Sequence, residues 1–254
     1  MSGLEVAVDV ALTPREAVRW QDRVCVVIDE LRASYAIVTL LDQGAVSVIP
    51  VAGLADGRQC ARGHGYLLAG SRGGLRPADY DYSGSPVELS KAQVRGRTVV
   101  LRTRNGTRVI RGLASAPSLL IGCLPNLTAC ARQALSRARN GRIPIGIVCS
   151  GASRSFALDD ALAAGALTDR LCRLDRHGIR LTDAGMAARR LWTGTRDPLG
   201  ALRESASGRL LARLGLDEDV GACAEVDTSD TVPVLVPGEP PRLVHAISGV
   251  MTTS

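Results

Sequence analysis

The 254-residue sequence has few aromatic residues and a single lysine, and both features limit the classes of ligand that it can be expected to bind. Phe, Trp and Tyr make up only 3 % of the chain, so few rings are available for the base stacking on which single-strand nucleic-acid binding relies. Lys91 is the only lysine, and arginine supplies nearly all of the formal net charge of +6. The basic residues are spread from Arg15 to Arg242, which argues against a nucleic-acid partner. An arginine-rich surface, or a positive site for a multiply anionic small molecule, are the two interpretations left open.

Paired cysteine and histidine motifs are also missing. The seven cysteines include no C-x-x-C pair, and the three histidines form no H-x-x-x-H pair. This argues against a histidine-rich zinc site and favours reduced cysteines over a disulfide framework. The sequence contains no run of 18 apolar residues, and its first residues lack the basic and apolar regions of a signal peptide. We therefore expect a cytoplasmic protein without a membrane partner.

Short apolar segments alternate with longer amphipathic ones, which predicts an α/β fold with a mostly parallel sheet and flanking helices. We predict strands at residues 24–28, 45–51, 98–101, 118–122, 145–149 and 232–236. We predict helices at residues 35–41, 107–113, 127–139, 158–173, 182–192, 199–214 and 217–224. The predominance of helix after about residue 175 indicates a helical excursion in the second half of the chain.

Two glycine-rich segments, residues 52–65 and 70–86, lack periodicity and are predicted to be irregular loops of the site. The second of them contains Arg72 and Ser85; a surface loop and a substrate loop are both consistent with its composition. The tail from residue 238 is rich in turn formers and is predicted to be partly loose. No repeat or linker divides the sequence. We expect a single domain over residues 1–254, with two α/β lobes at about 1–100 and 101–254 as the alternative.

Polar residues follow three of the predicted strands, at the edge where parallel α/β sheets bind ligands. The first junction contains Asp29, Arg32 and Ser34. A carboxylate here could hold a divalent metal, and the arginine could hold two phosphate oxygens. The competing interpretation is that Asp29 caps the helix and pairs with Arg32. Position 31 is leucine, so the second aspartate of a haloacid-type phosphatase is missing.

The second junction is a tight turn formed by Asn105 and Gly106, followed by Thr107. Such a turn can expose backbone N–H groups to a phosphate, although a plain turn is the alternative. The surrounding positive charge comes from Arg102, Arg104 and Arg108.

The third junction begins at Cys149, which invites comparison with cysteine phosphatases. Those enzymes need an arginine six residues after the cysteine, and Arg154 lies one position short. What is left is a Gly/Ser loop followed by Asp159 and Asp160 at the start of a helix. These acids either stabilise the helix N-terminus or form a metal-binding carboxylate pair.

Taken in order, these segments resemble the 2-phosphosulfolactate phosphatase family (ComB type). The sequence Val-Val-Ile-Asp-Glu-Leu-Arg-Ala-Ser stands at residues 26–34, and Thr-Arg-Asn-Gly-Thr-Arg at 103–108. The further matching segments lie at residues 70–74, 81–86, 121–126, 150–160 and 215–223. The resemblance covers about residues 20–235. It implies the α/β architecture of that family and a magnesium-dependent hydrolase that converts 2-phospho-3-sulfolactate and water into 3-sulfolactate and phosphate.

The resemblance also implies a set of site residues. Asp29, Arg32 and Asp160 are the predicted catalytic residues, and the predicted Mg²⁺ ligands are Asp29, Asp159 and Asp160. The predicted substrate-binding residues are Ser34, Arg72, Ser85, Asn105, Gly106, Thr107, Asn126, Ser150 and Gly151. Attack on phosphorus by water and attack by Asp29, through an aspartyl phosphate, are both open.

The sequence departs from the family pattern at Ser71, at Gly84, at Ser150, which stands in place of an alanine, and near Ser155, where a glycine is replaced. Ser71 replaces a glutamate of that pattern, and Gly84 replaces an asparagine. Both lie in predicted loops of the site, so they affect the expected substrate more than the expected fold. The expected partner is a small phosphate ester, and a homodimer is left open. A related substrate such as a sugar or nucleotide phosphate, or a non-catalytic anion-binding protein, are the alternatives.

Overall fold

The computed structural model describes residues 5–246. The strands are β1 (Val6–Ala11), β2 (Val24–Ile28), β3 (Ser47–Val51), β4 (Leu67–Gly70), β5 (Thr98–Arg102), β6 (Ser118–Ile121), β7 (Ile145–Cys149), β8 (Ile179–Leu181), β9 (Pro233–Val236) and β10 (Arg242–His245). The helices are α1 (Ala33–Asp42), α2 (Leu54–Ala61), α3 (Pro86–Leu89), α4 (Asn105–Gly112), α5 (Leu127–Gly141), α6 (Leu158–Leu174), α7 (Asp183–Gly194), α8 (Pro198–Glu204), α9 (Ala206–Arg213) and α10 (Asp217–Ala224). A 3₁₀ turn, Leu124–Asn126, precedes α5.

The strands form one sheet in the order β4-β5-β3-β10-β9-β6-β2-β7-β1-β8. The first three strands in this order pair in parallel, and so do the last five. Between them, the antiparallel hairpin β9–β10 pairs with β6 on one side and with β3 on the other. Strands β9 and β10 therefore join two parallel half-sheets. This arrangement confirms the predicted α/β fold with a mostly parallel sheet and flanking helices.

Helices cover both faces of the sheet, which explains the continuous apolar runs of the central strands. All five residues of β2 are buried, and so are all five of β7. Apolar residues of α5 to α10 pack on one face. Residues of α1, α3 and α4 pack on the other. Because this core encloses the middle strands, their carboxyl ends are fixed in position, and the polar junctions after them are held by a rigid scaffold.

Several predicted boundaries are wrong for identifiable reasons. Residues 52–65 are not a loop, since α2 forms there, and the Asp56 carboxylate accepts a hydrogen bond of 3.2 Å from the Gly53 N–H at its start. The predicted helix at 199–214 is divided at Ser205, whose hydroxyl accepts from the Gly208 N–H at 2.9 Å and begins α9. The tail predicted to be loose contains β10, and its residues 247–254 lie outside the described ones. Strands β1, β4 and β8 were not predicted.

The sheet draws strands from both halves of the chain, but the division into domains stays a prediction. Among residues 5–246, no helix has the length and apolar character of a membrane span. The cytoplasmic location and the oligomeric state also stay predictions.

Candidate active site

A cavity of about 350 Å³ opens beside the carboxyl ends of β2 and β5. Asp29 and Arg32, from the junction between β2 and α1, line this Asp29 cavity together with Asn105 at the start of α4. The rest of its wall comes from the loops after β4 and β7 and from the start of α9. The first and second polar junctions predicted from the sequence therefore meet here.

The Asp29 carboxylate is held at the floor of the cavity by backbone contacts. Its Oδ2 accepts a hydrogen bond of 2.8 Å from the Gly106 N–H. Its own backbone N–H donates to the Ser34 hydroxyl at 2.9 Å. Burial raises the pKa of Asp29, the Gly106 N–H lowers it, and the nearby negative charge of Asp159 raises it; with all its neighbours the pKa is about 6. Asp29 is therefore mostly ionised at neutral pH and close to its titration range.

Arg32 is buried and fixed by a second carboxylate from far along the chain. Its guanidinium forms an ion pair with Asp219 of α10 and donates to the Gly74 carbonyl at 3.0 Å. Asp219 also accepts hydrogen bonds from the Ser85 hydroxyl at 2.5 Å and from the Val87 N–H at 3.3 Å. These hydrogen bonds fix the position of the Asp219 carboxylate. Asp219 in turn holds the Arg32 guanidinium in one orientation at the wall of the cavity.

Three buried acids lie behind Asp29. Asp160 accepts two backbone hydrogen bonds, from the Glu30 N–H at 2.8 Å and from the Gly151 N–H at 2.7 Å. The Glu30 carboxylate accepts from the Leu124 N–H at 3.2 and 3.3 Å. Burial raises the pKa of Asp159, and it raises the pKa values of Glu30 and Asp160 well above their usual range, where neighbouring acids add to the effect. Because their pKa values are raised, these acids keep protons at pH values at which free carboxyls have lost them, and a cation beside them would favour their ionised forms.

The predicted Mg²⁺ ligands fit the ion only in part. Within residues 5–246, no three Asp, Glu, His or Cys side chains are arranged to hold a metal ion. The oxygens of Asp160 are engaged by backbone N–H groups, so the predicted trio does not form a ready-made cage. Asp159 differs, because its Oδ1 is buried and has no hydrogen-bond partner in the described part of the chain. Mg²⁺ is commonly held by one or two carboxylates, with water and substrate oxygens completing its shell, and that mode suits Asp159 and Asp29.

Positive charge surrounds the mouth of the cavity. Arg102 and Arg104 line it, and Arg102 is oriented by a hydrogen bond of 3.1 Å to the Ala52 carbonyl and by another to the Ser71 carbonyl. Burial lowers the pKa of the Arg102 guanidinium, and the charges of three neighbouring arginines lower it further. An anion entering the cavity would therefore meet a positive rim and an acidic floor, an arrangement that suits a phosphate accompanied by a cation.

Comparison with known proteins decides the family. The family model of 2-phosphosulpholactate phosphatase matches residues 11–238. The chain belongs to the 2-phosphosulfolactate phosphatase family. A protein of Deinococcus radiodurans is 40 % identical over 221 residues, covering 85 % of this chain and 89 % of its own length. One of Thermotoga petrophila is 36 % identical over 232 residues, 91 % of this chain and 96 % of its own length. Both relatives are named probable 2-phosphosulfolactate phosphatase.

Two of the predicted substrate-binding residues, Asn126 and Thr107, make side-chain contacts within the fold, and their part in substrate binding stays a prediction. The Asn126 side chain accepts from the Cys123 N–H and donates to the Ile121 and Thr231 carbonyls, so it fixes the turn after β6. Thr107 is fully buried, and its hydroxyl contacts the Thr103 hydroxyl at 2.8 Å and donates to the Val51 carbonyl at 3.3 Å. Neither side chain lines the Asp29 cavity.

The other predicted substrate-binding residues contribute in different ways. Ser34 and Ser85 act through neighbours, because their hydroxyls contact the Asp29 backbone and the Asp219 carboxylate. Arg72 is exposed on the loop beside the cavity wall. Gly151 has a φ of 67°, and a Cβ there would lie 2.2 Å from the Ser155 carbonyl oxygen, so its place in the family pattern reflects backbone geometry. Ser150 lies at a second cavity, which is described below.

Two site residues of this family member escaped the sequence analysis. Asp219 lies within the segment 215–223 that carries part of the resemblance, so a signal for it existed. Its pairing with Arg32, 187 positions away, could not be read from spacing. Glu30 directly follows Asp29, and an acid at the end of a strand usually faces water. Its complete burial depends on the 3₁₀ turn that begins at Leu124.

Proposed function

We propose that this protein is a magnesium-dependent phosphatase that hydrolyses a small phosphorylated organic acid of the 2-phosphosulfolactate type in the Asp29 cavity. Hydrolysis of a phosphoric monoester is the reaction of its family, and the names of its relatives give the substrate type. The observation that carries the proposal is one cavity in which an oriented carboxylate, Asp29, faces a buried and oriented arginine, Arg32.

Arg32 and Asn105 are the groups that we assign to the phosphate oxygens. Arg32 is preorganised by Asp219 and Gly74, so little conformational entropy is lost when it binds the phosphate. Arg102 and Arg104 add positive charge at the mouth. Phosphoryl transfer depends mainly on positioning and charge stabilisation, which is what these fixed cations supply.

Mg²⁺ is assigned to Asp29 and Asp159, with Asp160 in support. The unpartnered Oδ1 of Asp159 and the mutual repulsion of the buried acids support a cation at this place. Bound there, Mg²⁺ would neutralise phosphate charge as the ester bond breaks. Asp160 holds the loop at Gly151 and the backbone of Glu30, so we assign it a positioning role in place of the predicted catalytic one.

Asp29 is the group that acts on the reacting atoms. With a pKa of about 6, it is ionised at neutral pH and can accept a proton from an attacking water or attack phosphorus itself. A substrate made chiral at phosphorus with oxygen isotopes distinguishes the two routes. Inversion of configuration in the released phosphate supports direct attack by water, whereas retention, from two successive displacements, supports the aspartyl phosphate.

A second substrate candidate is favoured by the cavity wall. Ser71 and Gly84, two of the departures from the family pattern, both line the Asp29 cavity. A smaller or uncharged wall at these positions suits a related phosphate ester, such as a sugar or nucleotide phosphate.

Phosphate release from a panel of esters, with and without Mg²⁺, tests the function. We expect the highest kcat/KM for 2-phosphosulfolactate; a higher value for a sugar or nucleotide phosphate would select the second candidate. No release from any ester, with wild type and Asp29→Asn behaving alike, would leave only a non-catalytic anion-binding protein.

A further inference from the structure

A second cavity, of about 610 Å³, lies beside the Asp29 cavity and shares Asn105 with it. It is bounded by the loop between β1 and β2, by α4 and by the start of the loop after β7. Four arginines line this arginine cavity: Arg15, Arg108, Arg111 and Arg154. None of the described residues that line it is acidic, so its electrostatic character is cationic throughout.

The four arginines are not engaged elsewhere in the described structure. Within residues 5–246, their guanidinium groups form no ion pair and no hydrogen bond. Glu16, the acid next to Arg15 in the sequence, has its two oxygens engaged by Leu12 and Thr13. Like charges repel when they are gathered around one cavity, and an anion would relieve that repulsion.

An independent observation comes from Ser150. The residue as a whole is 2 % exposed, and it belongs to the lining of the arginine cavity. Its hydroxyl oxygen is buried and has no hydrogen-bond partner among the described residues. Buried polar groups are seldom left unpaired, because an unmade hydrogen bond is costly. Ser150 therefore places a hydrogen-bond donor without a partner among the described residues at the wall of the arginine cavity.

We propose that the arginine cavity is a binding site for an anionic group carrying sulfonate, sulfate, carboxylate or phosphate oxygens, separate from the phosphate that reacts at Asp29. The anion has two possible sources. It is either the far end of the substrate, which reaches past Asn105, or a separate small anion. The first source rests on the proposed function, whereas the site itself does not.

The test is calorimetric titration of the purified protein with sodium sulfate at low ionic strength. The test variant combines Arg15→Gln and Arg111→Gln, because these two arginines line only the arginine cavity. The matched control is Arg196→Gln, an exposed arginine on the loop between α7 and α8. Losing charge-assisted hydrogen bonds should weaken sulfate binding at least about tenfold in the double variant, and the control should bind like wild type.

Ser150→Ala provides a second variant that keeps all four arginines. Removing an unpartnered buried hydroxyl should leave the Tm equal to or above that of wild type, while sulfate affinity falls by about threefold or more. Wild-type sulfate affinity in both the double variant and Ser150→Ala would overturn the proposal. Because this readout needs no turnover, its failure is distinguishable from failure of the phosphatase assay.

Sulfate inhibition of wild-type phosphatase then assigns the source of the anion. Competition with the substrate that disappears in the double variant shows that the cavity takes the far end of the substrate. Inhibition or activation without competition, also lost in the double variant, shows a separate anion. Either pattern supports the site, whereas an unchanged pattern in the double variant contradicts it.

Discussion

The Asp29 cavity and the arginine cavity share Asn105, yet their charged groups are held in opposite ways. In the Asp29 cavity, Arg32 is buried and paired with Asp219, and Asp29 accepts a backbone hydrogen bond. In the arginine cavity the cations are exposed and unpaired within the described residues. Because the charged groups of the Asp29 cavity are already oriented in the free protein, little free energy is lost in orienting them during the reaction, as catalysis requires. The unpaired arginines of the arginine cavity gain more electrostatic stabilisation from a bound anion but hold it in a less defined position, which suits binding better than catalysis.

The largest effect is expected for Asp29→Asn. The amide keeps the size of the side chain but can neither attack phosphorus nor accept a proton from water. We expect kcat to fall by about 10²–10⁴-fold, measured as phosphate release. The Arg196→Gln variant, outside both cavities, controls for the loss of one charge. Retention of more than a tenth of the wild-type kcat by Asp29→Asn would move the chemistry to another carboxylate.

The second-largest effect is expected at Asp219, which holds Arg32 in the Asp29 cavity. In Asp219→Ala the buried Arg32 loses its partner, and an unpaired buried charge costs about 3–5 kcal/mol of unfolding free energy. We expect denaturant unfolding to show a loss of this size together with a higher KM. The milder Ser85→Ala removes only the hydroxyl that donates to Asp219 and should cost about 1 kcal/mol. Equal losses of unfolding free energy in the two variants would mean that the ion pair contributes no more to stability than the Ser85 hydroxyl does.

The sequence predicted the strands and helices that carry the two cavities better than the side-chain contacts within them. Strands such as β2 and β7 are continuous apolar runs because helices cover both faces, and that pattern is visible without a structure. The alternating valines of β1, at positions 6, 8 and 10, carried an equally plain signal that the prediction overlooked. Strand β10 is different, because four residues after two prolines carry little pattern. Its pairing between β3 and β9 is set by the whole sheet.

In the candidate site, too, the positions of residues along the chain were easier to predict than the contacts of their side chains. Asp29, Arg32 and Asn105 were found because each follows the end of a strand, where the topology brings ligands. Asn126 and Thr107 follow strands as well, but their side chains turn inward to backbone carbonyls. Spacing along the chain does not reveal that direction. The Arg32–Asp219 pair joins distant segments, so only the packing of α10 against the site reveals it.

The next, smaller effect is a change in stability with pH that arises at Asp29. The folded-state pKa of Asp29 is raised from 3.8 to about 6. Its contribution to stability is therefore present below about pH 4 and is lost as the pH rises through about 6. Mg²⁺ beside the ionised acids should offset that loss. At tenfold excess over its Kd it should add about 1.4 kcal/mol, or roughly 3–5 °C in Tm, near pH 7.5.

The same melting experiment carries its own controls. Near pH 5 the shift caused by Mg²⁺ should be smaller, because protons compete for the carboxylates. In Asp159→Asn the shift should vanish, while the metal-free Tm should rise since one repelling charge has gone. An equal Mg²⁺ shift at both pH values, or in Asp159→Asn, would place the cation elsewhere.

The smallest effect is expected for Gly106→Ala, next to Asn105, the residue that lines both cavities. A Cβ at position 106 would lie 3.0 Å from the Asp29 Oδ2, so the carboxylate must shift by a few tenths of an ångström. Such a displacement should lower kcat by about threefold to tenfold. The fold should lose nothing, because alanine favours a helix by up to about 1 kcal/mol over glycine. Sulfate affinity in the arginine cavity should stay at its wild-type value, since the shift is on the Asp29 side. A joint loss of kcat and sulfate affinity would instead mean that the two cavities act as one site.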